Sequence, residues 1–197
     1  DGQVVTPYSV SFGTGITVTS NTYADGKGII KLSGNATTIG ANAFEGCLGL
    51  TSIIIPNSVK TIYGSAFYKC IALEEISVPD SVKTIGERAF MGCTSLKNIT
   101  IGSGITDIGW SAFENCTALR KFSFGNQNDT TPIADNALFT VGQYSFKNCI
   151  LTEFESFANN LSSAMNGFSL VHSTPDEVIN EYLEKYPKES LFEALMY

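Results

Sequence analysis

The chain has 197 residues, 43% of them apolar and 16% charged, and its 12 Lys and Arg against 19 Asp and Glu give a formal net charge of −7. That length suits one domain of ordinary size, and the apolar fraction excludes a disordered tail. The acidic balance excludes a general binder of nucleic acid or anionic membrane, which needs clustered Lys and Arg, and no apolar run reaches the roughly 20 residues of a membrane span.

Residues 1–27 are rich in Thr, Ser, Val and Gly, with alternation at Ile16-Thr17-Val18, and read as a β-rich N-terminal cap. The stretch Gly28-Ile29-Ile30-Lys31-Leu32 follows. Its Ile30 and Leu32 stand 23 residues before Ile53 and Ile55, so it is expected to supply the strand of a partial first rung. From there the chain repeats. Phe44, Phe67, Phe90 and Phe113 are spaced by 23, and Phe146 comes 33 later. Cys47, Cys70, Cys93, Cys116 and Cys149 keep the same spacings, and Leu50, Leu73, Leu96 and Leu119 hold the period. Self-similarity over this many positions is the mark of a solenoid of stacked units.

Each unit reads in the same order. Alternating Ile53 and Ile55 make a short strand with one buried face, closed by Pro56 or Pro79, which cannot donate a ladder hydrogen bond. A turn at Asn57-Ser58 or Asp80-Ser81 leads into a second extended piece, Val59 to Ile62. A small-residue turn and a helical turn or two are expected next, as in Ser65-Ala66-Phe67-Tyr68-Lys69-Cys70, with Ala66, Phe67 and Cys70 on one face. The phenylalanines should then form one column through the core. The late fifth unit implies that the turn-forming stretch 125–136 loops out of the stack. Beyond it the repeat degenerates, since Leu151 follows Cys149 by two residues where the other units have three. Phe168-Ser169-Leu170-Val171 reads as a last strand. Thr174-Pro175-Asp176-Glu177 is a helix start, with Thr and Glu placed as a capping box and Pro at the first helical position, and Pro187 marks its stop. The whole divides into a cap (1–27), a solenoid (28–157) and a C-terminal strand–helix cap (158–197) of one compact domain.

The unit Thr-Ile-Gly-x-x-Ala-Phe-x-x-Cys-x-x-Leu-x-x-Ile-x-Ile-Pro-x-Ser-Val resembles the BspA-like, or treponemal-type, leucine-rich repeat. It departs from the better-known leucine-rich repeat in lacking the buried Asn after the strand; Ser58, Ser81 and Gly104 stand near that place. The resemblance implies an α/β class, a right-handed solenoid of about five 23-residue repeats, on a secreted or surface-displayed protein of a host-associated microbe. It implies adhesion or macromolecule binding, and it brings no catalytic residues. Asp1, with no Met before it, fits a processed or trimmed chain.

Chemistry beyond binding is hard to place. The cysteines occupy one core position and are expected as small buried free thiols rather than zinc ligands, which want Cys-x-x-Cys pairs or nearby His, or disulfides between rungs. His172 is the single histidine and has no assignable Ser or Cys partner. Glu74 and Glu75 adjoin on a strand and should point to opposite faces, so they make no acid–base pair. The insertion lacks the Asp-x-Asp-x-Asp-Gly spacing of a calcium loop. No metal and no cofactor are expected.

Two surfaces are candidates. The concave sheet face should carry Ser52, Ile54, Ser77, Thr100 and Ser123, flanked by Glu74, Lys97 and Arg120, acidic at one end and basic at the other, with Glu74 and Lys97 as cross-strand neighbours. The convex side should carry an aromatic patch of Tyr63, Tyr68, Met91 and Trp110, at positions that accept charged residues in other units. The leading expectation is a non-enzymatic binding protein for a protein or glycan, including host extracellular matrix. A structural spacer or self-association module comes second. An enzyme with a site in the insertion and C-terminal cap comes third.

Overall fold

Four successive units each contribute two short parallel strands and a run of turns, each laid one rung above its predecessor. The structure, a computed structural model, describes residues 18–24, 27–32, 35–124, 139–150, 153–156 and 168–171. The first strands, β1 (Val18–Ala24) and β2 (Lys27–Leu32), form an antiparallel pair of their own. A parallel sheet then gathers the second extended piece of every unit: β3 (Thr38–Ile39), β4 (Thr61–Ile62), β6 (Thr84–Ile85), β8 (Asp107–Ile108) and β10 (Phe139–Gly142), closed by β12 (Phe168–Val171). The second parallel sheet stacks β5 (Glu75–Val78), β7 (Asn98–Ile101), β9 (Lys121–Phe124) and β11 (Glu153–Ser156). Ile54 joins its first edge through a single bridge to Ser77. Registers of Thr61↔Thr84 and Ile76↔Ile99 reproduce the 23-residue spacing of the sequence.

The third side of each rung corrects one expectation. Residues such as 64–69 are a chain of turns, not helical turns, and no helix occurs among the described residues. Ser65, Lys69, Arg88, Ser111 and Asn115 have φ between 53° and 63°, which no α-helix contains. Alternate amides serve two directions. Ala66 and Tyr68 donate within the rung, to Tyr63 and Ser65, whereas Ser65, Phe67 and Lys69 donate to Glu87, Ala89 and Met91 of the next rung. A helix would satisfy its N–H groups internally and leave the rungs unjoined on this side.

Side chains of all three sides meet in one core. Val59, Ile62, Ala66, Phe67, Cys70 and Leu73 are fully enclosed, and their counterparts in the next unit are too. The phenylalanine column is present: Phe44, Phe67, Phe90, Phe113 and Phe146 stack face to face with ring centres 5.0–5.3 Å apart. The Thr-Ile-Gly motif has a packing cause, because a Cβ on Gly86 or Gly109 would come within 2.5 Å of the preceding rung's backbone nitrogen. Where other leucine-rich repeats bury Asn, the hydroxyls of Ser58 and Ser81 donate to the carbonyls of Ala36 and Val59, each at 2.7 Å.

Two features of the ends differ from the repeat arithmetic. Ile30 and Leu32 fit the period, yet their strand pairs antiparallel with β1 instead of extending the parallel ladder. The fifth rung docks in full register despite its late arrival, with Thr140 beside Asp107 and Phe146 on Phe113. The missing residue before β11 is absorbed as well, since Glu153 pairs with Lys121 and Phe154 with Phe122. The stretch 125–136, His172, the helix start at Thr174 and the first 17 residues lie outside the described residues.

Candidate functional site

On the sheet of β5, β7, β9 and β11 the alternation is direct: Ile76 and Val78 are buried, Glu75 and Ser77 exposed. Strand residues two apart share a face, so the outward rows run Ser52, Glu75, Asn98, Lys121 and Ile54, Ser77, Thr100, Ser123. Ser52, Glu75, Ser77 and Asn98 are exposed, and Thr100 is half-buried. Ile54 is 92% exposed, a large aliphatic side chain standing in solvent amid a polar row. Ser123 is a correction: it is buried, flanked in register by Thr100 and Glu155. Its hydroxyl lies 3.4 Å from the Ile99 carbonyl and the Thr100 hydroxyl, so this short side chain sits down between its neighbours and cannot reach a partner.

The flanking row follows a backbone ladder, in which Glu74 donates to Thr51, Lys97 to Glu74 and Arg120 to Lys97. The expected cross-strand pair is formed, with Lys97 Nζ 2.8 Å from Glu74 Oε2 and both side chains more than half exposed. Arg120 curls toward its own turn and donates to the Thr117 carbonyl at 3.0 Å. The Glu74–Lys97 pair thus neutralises the middle of the row, and the charge gradient is shorter than expected. Glu74 and Glu75 are both exposed, Glu74 standing just outside the strand.

On the turn side Tyr63 and Trp110 are 49% and 37% exposed, while Tyr68 and Met91 are half-buried. Ring contacts among the described residues do not link Tyr63, Tyr68 and Trp110 to one another. Trp110 instead takes the Arg88 guanidinium over its ring at 4.5 Å and the Tyr144 ring edge-on at 6.4 Å. Lys147 lies over Tyr144, and Lys69 over Tyr68, each at 5.0 Å.

The five cysteines are free and buried. Each from the second rung on donates its Sγ–H to the phenylalanine carbonyl of the rung before: Cys70 to Phe44, Cys93 to Phe67, Cys116 to Phe90 and Cys149 to Phe113, at 3.0–3.2 Å. Burial pushes the thiols of Cys47, Cys70 and Cys116 above the usual thiol range, so they are neither nucleophiles nor thiolate ligands. Among the described residues no group of three or more His, Cys, Asp or Glu could hold a metal ion. No helix of the described residues is long and apolar enough to cross a membrane.

This architecture has known counterparts. Residues 27–138 match the family model of the BspA type leucine-rich repeat region in six copies. The chain belongs to the BspA-type leucine-rich repeat family. A leucine-rich cell surface protein of Faecalibacterium prausnitzii is similar at 30% identity with a TM-score of 0.59, over 72% of this chain and 34% of that one. This chain therefore spans about a third of that relative's length. A leucine-rich repeat protein of Bacteroides ovatus shares 24% identity (TM-score 0.41, 59% of this chain, 45% of that one), and the leucine-rich repeat protein of T. pallidum shares 26% (TM-score 0.36, 52% and 51%). No curated protein matches the sequence.

Within this BspA-type solenoid, Arg88 and Tyr144 are the surface residues that sequence reasoning missed. Their signal was present: they share one repeat position with Asn42, Ser65 and Ser111, and so must flank Trp110 once the rungs stack. Glu75 and Asn98 stand two residues before Ser77 and Thr100 and so share their outward face, a signal the alternation also carries.

Proposed function

We propose that this chain is a non-enzymatic recognition scaffold, secreted or displayed on a bacterial surface, that binds a protein or glycan partner on the outer face of its second parallel sheet. The observation that carries the reading is Ile54, almost fully solvent-exposed in the open row of that face. A large aliphatic side chain exposed within a polar row offers a partner's apolar groups a point of contact. Ser52, Glu75, Ser77 and Asn98 surround it with hydrogen-bonding groups, the polar rim that interfaces favour. Arg120 and Lys121 add a basic margin on an acidic molecule. The surface address is supported by the Faecalibacterium relative, which is described as a cell surface protein.

Host extracellular matrix is the first partner to test. Solid-phase binding to immobilised matrix proteins and to matrix glycans is measured for the wild type and for a variant carrying Ile54→Ser, Lys97→Ala, Arg120→Ala and Lys121→Ala. Loss of binding in the variant, with its circular dichroism unchanged, supports the sheet-face reading. Equal binding by both removes it. A mass that rises with concentration in light scattering, and that the same variant abolishes, assigns the face to self-association instead.

A further inference from the structure

The sheet of β5, β7, β9 and β11 begins one rung before β5, at residues 51–55, where Ile54 makes a single bridge to Ser77. The repeat places residues 28–32 ahead of that rung, but β2 pairs with β1 and leaves the edge without a strand on its outer side. Along a parallel strand the backbone groups of alternate residues turn to opposite neighbours. The Thr51 carbonyl accepts from Glu74 of the second rung, and the Val78 carbonyl, one unit on from Ile55, accepts from Gly102 of the third. Residues 51, 53 and 55 therefore bond the next rung, and the N–H and C=O groups of Ser52 and Ile54 face out of the stack. Among the described residues nothing bonds those outward groups.

The composition of this edge is the reverse of what an open edge needs. Natural sheets blunt their edges with charged side chains. Here the interior strands and their flanks hold the charges, in Glu74 and Glu75, Lys97, Arg120 and Lys121. The edge stretch Leu50-Thr51-Ser52-Ile53-Ile54-Ile55-Pro56 holds no charge and three successive β-branched residues. Ser52 and Ile54 are both exposed, Ile54 by 92%. Pro56 is no guard of the edge, because Pro79 fills the same place inside the stack.

Symmetry selects the occupant. Two outward residues, two apart and each with one donor and one acceptor, form a pattern that is its own complement about a two-fold axis through Ile53. Ser52 of one copy then meets Ile54 of the other, and each such pair exchanges both of its backbone bonds. A two-fold contact also sets each charge near its equal in the other copy, so on a chain of net charge −7 it needs an uncharged strip. Residues 50–56 are such a strip. The other continuation lays β11 of a second copy on this edge as a further parallel rung. In the register of the stack that sets Glu153 and Glu155 beside Ser52 and Ile54, and it leaves an open edge at each end of the assembly.

We propose that two copies of this chain pair antiparallel through residues 51–55, carrying one sheet across both. The dimer is weak, because a few backbone bonds bring little apolar area with them. It joins the outer faces of two copies into one surface. The pairing is made by backbone groups, so it does not depend on what that face binds.

Proline separates the backbone from the side chain. Ser52→Pro removes one outward N–H and no bond of the single chain. Sedimentation equilibrium of the full chain is expected to show a monomer–dimer equilibrium with a Kd of roughly 10 μM to 1 mM. Because each loss is repeated across the axis, Ser52→Pro should weaken the dimer roughly tenfold or more. Ser52→Ala keeps the N–H and should leave the dimer intact, as should the combined Lys97→Ala, Arg120→Ala and Lys121→Ala. Ile54 stays in place in Ser52→Pro, so the outer face keeps its contact residue and the two readings fail separately. Circular dichroism checks the stack, and if Ser52→Pro does not fold, Ile54→Lys puts a charge on the edge without altering a backbone bond. In amide exchange, Ser52 and Ile54 should exchange as open chain when dilute and slow as the dimer forms, while Glu74 and Lys97 stay protected throughout. A chain that is monomeric up to roughly 1 mM overturns the proposal, as does a dimer that Ser52→Pro leaves unchanged. Species that grow beyond the dimer overturn it and assign the edge to head-to-tail stacking. Protection of the Ser52 and Ile54 amides in the monomer also overturns it, and assigns the edge to another segment of the same chain.

Discussion

Phe67→Ala is the sharpest perturbation of the stack. The Phe67 ring is completely enclosed, with Phe44 at 5.1 Å on one face and Phe90 at 5.0 Å on the other, both within 5° of parallel. Removing the ring forfeits about 1.5–3 kcal/mol of apolar burial. It also forfeits two stacking contacts of roughly 0.5–1.5 kcal/mol each. The gap cannot close cheaply, because the rungs on either side are pinned by backbone bonds from Phe44 to Ala66 and from Phe67 to Ala89, both 2.7 Å. The total is about 4 kcal/mol, within the range of roughly 3–5 kcal/mol found for buried Phe→Ala changes. A domain is stable by only about 5–15 kcal/mol, so the midpoint of thermal unfolding should fall by roughly 8–16 °C. Urea unfolding followed by far-ultraviolet circular dichroism and by Trp110 emission measures the loss. Phe67→Leu, which keeps most of the volume, should cost less than half as much. A Phe67→Ala loss below about 1 kcal/mol would refute the claim that the column carries the core.

Further outcomes follow from the same geometry. Lys69 has φ of 57° where the equivalent residues are Gly46 and Gly92, so Lys69→Gly should be more stable than Lys69→Ala by about 0.5–1 kcal/mol in urea unfolding. The cysteines should ignore a thiol reagent in the native protein and react fully, five per chain, in denaturant. Cys47, Cys70 and Cys116 keep their protons in the fold above the ordinary thiol value of 9.0, at which unfolded thiols ionise. The unfolded chain then binds fewer protons than the native one, and stability falls as pH rises past that value, by about 1.4 kcal/mol per pH unit for each such thiol. Cys70→Ala should flatten that slope. The exposed Glu74–Lys97 pair should show a coupling of about 0.2–1 kcal/mol in a double-mutant cycle, diminished by salt.

The stack was legible in the sequence because its core is one position copied: Phe44 to Phe146 and Cys47 to Cys149 state the rung spacing, and Ile76 and Val78 state which way the strand faces. The turn side was not. Ala66, Phe67 and Cys70 fall on one side of a helical turn and equally on the inner side of stacked turns, so their spacing does not separate the two. The φ values that decide it fall on Asn42, Gly46, Gly92, Asn115 and Asn148 but equally on Lys69, Arg88 and Tyr144, so no one residue type marks the turns along the whole stack. Pairing direction was equally hidden: Ile30 and Leu32 alternate alike in a parallel rung and in the antiparallel pair they join. Of the sheet face, Ile54, Glu74 and Lys97 were readable from alternation alone. Ser123 obeys the same alternation but is short and buried, its hydroxyl lying 3.4 Å from the Ile99 carbonyl. The Trp110 cluster depends on contacts between rungs, so it appears only when equivalent residues are set side by side.

Continuity of the stack through the late fifth rung is the central claim, and amide hydrogen exchange reads it residue by residue. The amides of Ser111, Phe113 and Asn115 donate to the carbonyls of Gln143, Ser145 and Lys147. They are protected only while the fifth rung is docked. Their exchange should be slowed to the same degree as that of Phe90 and Gly92, which donate to Ala112 and Glu114 one rung earlier. Exchange of Phe113 and Asn115 at the rate of open chain, with Phe90 and Gly92 still protected, would contradict it.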